Sequence, residues 1–274
     1  MRNNQFKKLL AGLLAVLLLL TVVGCGGAEK TAAPEGDDSL QKVLDAGEFI
    51  IGFDAAYPPL TYLNGAGVMD GFDIDVADAV CRQLGIKLVK KAIDWDRKEE
   101  LLNSGEIDCI WSGLSVTPER AESMCLSDPY IKNELIYVVM GDSEIKRVRD
   151  FTGKTIGTQS GSSTEDVLKE AEFYKDVTVR AYKDNAVLLD KLKEGEVDVA
   201  FVDSLAAYAF IRQSDEKFYV FPDAVREEEC AVGFRKNDQA LRDKVQETLI
   251  KMKGDGTLAS LSVRWFGSDI TVVK

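Results

Sequence analysis

One pattern occurs twice in this chain and limits the folds open to it. Leu102-Asn103-Ser104-Gly105-Glu106-Ile107-Asp108 is echoed by Leu192-Lys193-Glu194-Gly195-Glu196-Val197-Asp198. In both copies a helix ends at a glycine, the residue that most readily adopts the left-handed conformation of a helix stop. An acidic residue, a β-branched residue and an aspartate then lead into an apolar run, Cys109-Ile110-Trp111 or Val199-Ala200-Phe201. Such short apolar runs alternate with amphipathic segments along most of the chain, which predicts βαβ units and parallel sheet. The repetition predicts two lobes of like fold.

The order of elements follows from this alternation. Strands are expected at Phe49–Phe53, Ile86–Val89, Ile107–Trp111, Leu135–Met140, Lys154–Thr158, Val177–Ala181, Val197–Val202, Phe218–Phe221 and Ala231–Phe234. Val76, Val80 and Leu84 share one face of a helix that follows Gly71, with Asp73 as its expected cap. Helices are also expected at 39–46, 98–102, 164–171, 185–193, 204–211, 238–253 and 257–265, and Asn64-Gly65-Ala66-Gly67 reads as a turn. Thr117 and Pro118 fit the N-cap and first position of a short helix carrying Arg120.

The N-terminus carries a different signal. Arg2, Lys7 and Lys8 precede an apolar run from Leu9 to Val23, a secretory signal too short and too one-sided in charge for a spanning helix. Val22-Val23-Gly24-Cys25 resembles a bacterial lipobox, which implies removal of residues 1–24 and a lipid on Cys25. Residues 25–38 lack apolar periodicity and read as a tether between that anchor and the folded body. The expected location is therefore extracytoplasmic, on the bacterial cell membrane.

Composition removes several functions. The chain contains no histidine, which excludes Ser-His-Asp and Cys-His catalysis and histidine-ligated metal. Its formal net charge of -12 disfavours nucleic acid as a partner. Cys81, Cys109, Cys125 and Cys230 have no zinc-type spacing; disulfides are open to them in this compartment, without a readable connectivity, but buried free thiols are the expectation. No metal, cofactor or catalytic residue is expected.

In open α/β sheets ligands sit beyond the carboxyl ends of the strands. The expected strand ends carry Asp54 and Tyr57; Trp95; Ser112, Gly113, Ser115 and Arg120; Gln159, Ser162 and Ser163; and Asp203. This set suits a zwitterion. Arg120 and the backbone N–H groups of the Ser115 and Ser162 loops, one of them opening a helix, fit a carboxylate. Asp203 fits an ammonium group. Tyr57 and Trp95 either enclose a side chain or belong to the core. Asp54 is a ligand group or a loop cap, and Gln159 is a ligand group or exposed.

At these residues the chain resembles the polar-amino-acid family of solute-binding proteins of ABC importers. The resemblance is carried by Phe53-Asp54 with Tyr57-Pro58-Pro59, by Gly71-Phe72-Asp73-Ile74-Asp75-Val76-Ala77 and by Ser112 to Arg120. Ser127-Asp128-Pro129-Tyr130, Gly157 with Gly161-Ser162-Ser163, and Val202-Asp203 add to it, so that it extends from Ser39 to Gly267. It implies an α/β, two-lobed periplasmic-binding-protein-like fold of type II with two hinge crossings. Lobe 1 would comprise 39–131 and 229–274, and lobe 2 132–228. It further implies that Arg120 holds an α-carboxylate and Asp203 an α-ammonium. Ser112, Gly113, Ser115 and Ser162 would add hydrogen bonds, while Asp54 and Gln159 would meet the side chain. Two departures stand out. A disulfide that some members form from the Cys81 position would need cysteine at Leu88, and a serine common in the family is replaced by Gly113.

The expected function is capture of a free polar or basic amino acid by a monomer, which delivers it to an ABC importer permease. The alternatives are a dehydratase on the same fold, with Asp54 or Asp203 as general acid, and a ligand-sensing subunit of a membrane receptor.

Overall fold

The computed structural model describes residues 36–274; the signal segment, Cys25 and most of the expected tether lie outside them. The first elements are α1 (Ser39–Ala46), β1 (Glu48–Phe53), β2 (Ala56–Tyr57), β3 (Thr61–Leu63), β4 (Met69–Asp70) and α2 (Phe72–Leu84). There follow β5 (Lys87–Ala92), α3 (Lys98–Asn103), β6 (Cys109–Ser115), α4 (Pro118–Ser123), β7 (Met124–Leu126) and β8 (Ile131–Met140). The next run is β9 (Thr155–Gln159), α5 (Ser163–Glu170), β10 (Thr178–Tyr182), α6 (Asn185–Lys193), β11 (Val199–Asp203) and α7 (Ser204–Gln213). The chain closes with β12 (Phe218–Val220), β13 (Arg226–Arg235), α8 (Gln239–Gly254) and α9 (Thr257–Phe266).

The main sheet runs β10-β9-β11-β8-β13-β6-β1-β5, with β12 added beside β8 and β7 beside β13. Strands β1, β5 and β6 pair in parallel on one side, and β9, β10 and β11 on the other. β6 and β11 are buried along their whole length, as parallel strands covered on both faces should be. β5 is an edge strand and carries Lys87, Lys90 and Lys91, charges that oppose further pairing. Those lysines hide its continuation past the expected end at Val89.

Two long strands join the halves. β8 and β13 lie antiparallel, from Arg226 opposite Leu135 to Cys230 opposite Ile131. Beyond this shared stretch β8 goes on to pair with β11 and β12, and β13 with β6 and β7. The main chain thus passes between the halves on two adjacent strands, the arrangement expected of two hinge crossings. The expected strand at Ala231–Phe234 is only the buried end of β13. Its other end, Arg226-Glu227-Glu228-Glu229, is too charged to read as strand, but only Glu228 in it turns inward.

The sequence echo is an echo of structure. Gly105 and Gly195 both have positive φ, and the amides of Glu106 and Glu196 both reach back into the preceding helix. Asp108 then accepts the Ile50 N–H on β1 at 2.9 Å, and Asp198 accepts the Thr155 N–H on β9 at 2.8 Å. Each aspartate bonds the neighbouring parallel strand, Asp198 at its first residue and Asp108 at its third.

One capping expectation is corrected. Gly71, not Asp73, occupies the N-cap of α2, without a side-chain cap. At φ 135 it lies where a Cβ would run into the Leu60 carbonyl, so glycine is required. Asp73 is fully buried and accepts the Gly113 N–H at 2.9 Å and the Tyr130 hydroxyl at 2.8 Å. Cys81, Cys109 and Cys230 are buried free thiols, and Cys125 is a half-buried one.

Candidate ligand-binding site

The strand ends of the two halves meet at one cavity. It is lined by Asp54, Tyr57, Trp95, Gly113, Ser115, Arg120, Gln159, Ser162, Ser163 and Asp203. Its free space is about 10 Å³, room for about one water. A hollow of about 760 Å³ bordered by Tyr137, Phe173 and Phe221 lies elsewhere; its rim mixes Lys146 and Arg226 with Glu170 and Glu172 and presents no convergent set of one sign.

Each half builds its wall differently. In the first, β6 extends through the segment expected as a loop, to Ser115. Its pairing with β13 slips between Ala231 and Gly233, so that Trp111-Ser112-Gly113 bulge from the ladder. Gly113 has φ 54, and a Cβ there would lie 2.6 Å from Leu60 and 2.9 Å from Tyr57. Glycine thus lets the strand backbone come up against the cavity wall. Its N–H is committed to Asp73 and Tyr130. Ser112 lies behind the cavity rather than on it, with its hydroxyl 2.6 Å from that of Thr61 and accepting the Asp54 N–H at 3.2 Å.

Arg120 projects from α4, whose N-cap is Thr117 with Pro118 in the first turn. Arg120 is 5% exposed, and its guanidinium donates to the Ser115 carbonyl at 2.8 Å and the Gly161 carbonyl at 3.4 Å. It has no carboxylate partner in hydrogen-bond reach among the described residues. Burial lowers its pKa, opposed chiefly by the charge of Glu228.

In the second half, Ser162 caps α5 by accepting the Glu165 N–H, while its hydroxyl donates to the Gln159 carbonyl at 2.6 Å. The Ser163 hydroxyl lies 2.9 Å from Glu228 and 3.2 Å from Ser115. Asp203, at the end of β11, accepts from Asn133 at 2.6 Å and Asn185 at 3.3 Å. Burial and then the Glu228 charge push its pKa up to about 6, against the hydrogen bonds that favour the ionised form.

A polar chain ties the acidic groups together. Gln159 donates to Asp54 at 2.7 Å, and Asn185 bridges Gln159 and Asp203. Asp54 also accepts the Ala56 N–H at 2.8 Å, a loop-cap bond, so it faces the cavity and caps the loop at once. Its pKa is raised by burial. Gln159 is buried rather than exposed. Tyr57 and Trp95 both line the cavity and pack as buried residues. The Tyr57 hydroxyl is buried and turned towards Asp203. Lys98, Asn133, Asn185 and Glu228 escape the sequence reading. They sit in a helix, a strand, a helix start and a run of charges, and nothing local separates them from their neighbours.

A two-lobed α/β body with a shut polar cleft between its strand ends defines the class: a solute-binding protein of the periplasmic type. The chain belongs to the bacterial extracellular solute-binding proteins, family 3, whose profile matches residues 49–268. It is 30% identical over 267 residues to the L-cystine-binding protein TcyJ of Escherichia coli (strain K12), covering 97% of each chain. It is 30% identical over 262 residues to the arginine-binding extracellular protein ArtP of Bacillus subtilis (strain 168), covering 95% of this chain and 98% of that one. A substrate-binding protein of an ABC uptake transporter from Streptococcus pneumoniae, solved with bound histidine, superposes with a TM-score of 0.83. That match has 34% identity and covers 87% of this chain and all of the other. These relatives are amino-acid-binding proteins, and the chain is a binder rather than an enzyme.

Proposed function

We propose that this protein captures a polar amino acid, with a cationic one preferred, in the cleft and delivers it to an ABC importer. The observation that carries the reading is the set of buried charges around the cavity. Arg120 stands on one wall without a carboxylate, and Asp203 on the other without a cation. An amino acid supplies both missing partners: its carboxylate to Arg120, Ser115 and Ser163, its ammonium to Asp203. Its side chain then lies towards Tyr57, Trp95, Gln159 and Asp54. Asp54, Asp203 and Glu228 outnumber Arg120 and Lys98 among the buried charges there, and this excess favours a ligand of net positive charge. The relatives' ligands, arginine, histidine and cystine, are in keeping with a polar or basic amino acid.

Capture works by closure. Lobe 1 is assigned 39–131 and 229–274, and lobe 2 132–228, with β8 and β13 as the hinge. The free space in the cleft holds about one water, less than any amino acid fills, so entry requires the lobes to part and they close on the ligand at a wider setting than this one. A micromolar complex needs about −8 kcal/mol. Charge-assisted hydrogen bonds of roughly 1.5–3 kcal/mol each can supply that in a shut cleft. A signal ending at residue 24 and a lipid on Cys25 would hold the protein, as a monomer, at the outer face of the cell membrane. Its partner there is the permease.

A thermal-shift screen of the twenty amino acids and cystine tests the reading. Binding stabilises by the logarithm of ligand concentration over Kd, so a micromolar ligand at a hundredfold excess adds about 2.7 kcal/mol. Arginine, lysine, histidine or cystine is expected to raise Tm. A panel without any shift rejects the function.

A further inference from the structure

One rung of the two joining strands carries a pair of buried polar side chains. Asn133 on β8 stands opposite Glu228 on β13, and cross-strand partners share one face of a sheet. Their chain neighbours Lys132, Glu134, Glu227 and Glu229 are exposed, whereas Asn133 and Glu228 turn inward. Neither of the two lines the cavity.

Each grips a residue that does. Asn133 donates to Asp203 at 2.6 Å, and its side-chain oxygen accepts the Ser204 hydroxyl at 3.3 Å, so both ends of the amide are bonded. Glu228 accepts the Ser163 hydroxyl at 2.9 Å. Ser163 opens α5, whose first N–H groups have no partner within the helix. The rung therefore holds both the acid suited to an ammonium and the helix start suited to a carboxylate. All four residues fall within the half assigned 132–228, so neither bond depends on how far the cleft is shut.

The charges around the rung are few. Glu228 faces Arg120 from α4, Asp203 from β11 and the Cys230 thiol on its own strand. Asp203 is faced in addition by Asn185 from α6 and Tyr57 from β2, and Arg120 by Asp166 from α5. The Glu228 charge opposes ionisation of Asp203, and the Asn133 hydrogen bond favours it.

We infer that Asn133 and Glu228 are a pair of positioning residues, which set the place and the charge of the two poles that hold an amino acid without touching it. The inference rests on the cleft being the ligand site.

Asn133→Leu keeps the shape of the side chain and removes its hydrogen bonds, and Asn133→Ala serves should that variant not fold. Glu228→Gln keeps an acceptor for Ser163 and removes the charge. Titration calorimetry with L-arginine, L-histidine and L-cystine at pH 7.5 should show Kd raised about tenfold in the Asn133 variant and within about threefold of wild type in Glu228→Gln. The pH profiles should then part. Wild-type affinity is expected to fall below about pH 6, where Asp203 takes up its proton. This acid limb should move to higher pH in the Asn133 variant and to lower pH in Glu228→Gln. A pair that only supports the fold would lower Tm and leave the limb in place. An unchanged Kd in the Asn133 variant, or limbs that coincide or move the same way, overturns the inference. Should the wild type bind none of these probes, the proposed function fails on its own. Carboxyl-carbon NMR of Asp203 in the unliganded proteins then decides the rung: midpoints displaced in opposite directions support it, and midpoints that coincide or move together overturn it.

Discussion

The two halves of this molecule share a scaffold and differ in what they hang on it. In each, a helix stops at a glycine, and an aspartate two residues past the following acid bonds the adjacent parallel strand: Asp108 on β1 and Asp198 on β9. Beyond those bonds the likeness ends. The first half sends both buried cations, Arg120 and Lys98, towards the cleft, and bends β6 into a bulge at Gly113. The second half brings Asp203, Gln159, Asn185 and the hydroxyls of Ser162 and Ser163, with no buried cation. Strand and helix ends carry the difference because the ladder fixes the backbone there while leaving side chains free to vary. Two like frames with unlike charge give the cleft a cation on one wall and an acid on the other.

The largest expected effect comes from the acidic wall. Asp203→Ala should weaken amino-acid binding by about 3 kcal/mol, roughly a hundredfold, since it leaves a buried ammonium without its counter-ion. Titration calorimetry measures it. A loss below threefold would mean that the second half does not read the ammonium.

Proton competition at the same residue is expected to be smaller. Asp203 must be ionised to hold an ammonium, and burial holds its pKa at about 6. Affinity should be level from pH 7.5 to about 6 and fall by up to about tenfold per unit below that. The unliganded protein should show the opposite sign. Its folded state binds the Asp203 proton more tightly than the unfolded state does, so this contribution to stability grows as pH falls from about 6 towards the ordinary carboxylate range. Asp73, held at about 7 by burial, acts in the same direction from slightly higher pH. An affinity that rises on acidification would contradict the assignment.

The smallest effects test the shared scaffold itself. Asp108 is half-buried and lies 3.5 Å from Arg235, whereas Asp198 is exposed. Asp108→Ala should cost about 1.5 kcal/mol of stability and Asp198→Ala below about 1 kcal/mol, by urea unfolding. Neither should change ligand affinity by more than a factor of two. A large affinity loss from either would show that these aspartates do more than hold strands.

How far the sequence foretold this follows from range. The glycine stops, the Thr117-Pro118 helix start and the apolar strands are local signals, so the βαβ order and the place of Arg120 were legible. The ends of β5 and β13 were not, because Lys90, Lys91 and Glu227 to Glu229 look like loop until their neighbours in the sheet are known. Glu228 faces inward only because of its register against Asn133 on β8. Lys98 is buried against Trp95 and bonds the Gly161 carbonyl, far along the chain. Asp73 looked like a cap because acids favour helix starts, and its real partners, Gly113 and Tyr130, are far along the chain. Ten of the eleven residues expected at the site line one cavity. Ser112 sits behind it because the bulge turns its hydroxyl towards Thr61.

The central claim is that Arg120 waits in the cleft for a carboxylate that every amino acid carries. Titration calorimetry of wild type and Arg120→Ala, side by side against each amino acid that shifts the wild-type Tm, tests it most directly. The account predicts micromolar binding by the wild type and a loss of at least about a hundredfold for every ligand in Arg120→Ala, with the fold intact by circular dichroism. Retained affinity in the folded variant would contradict it.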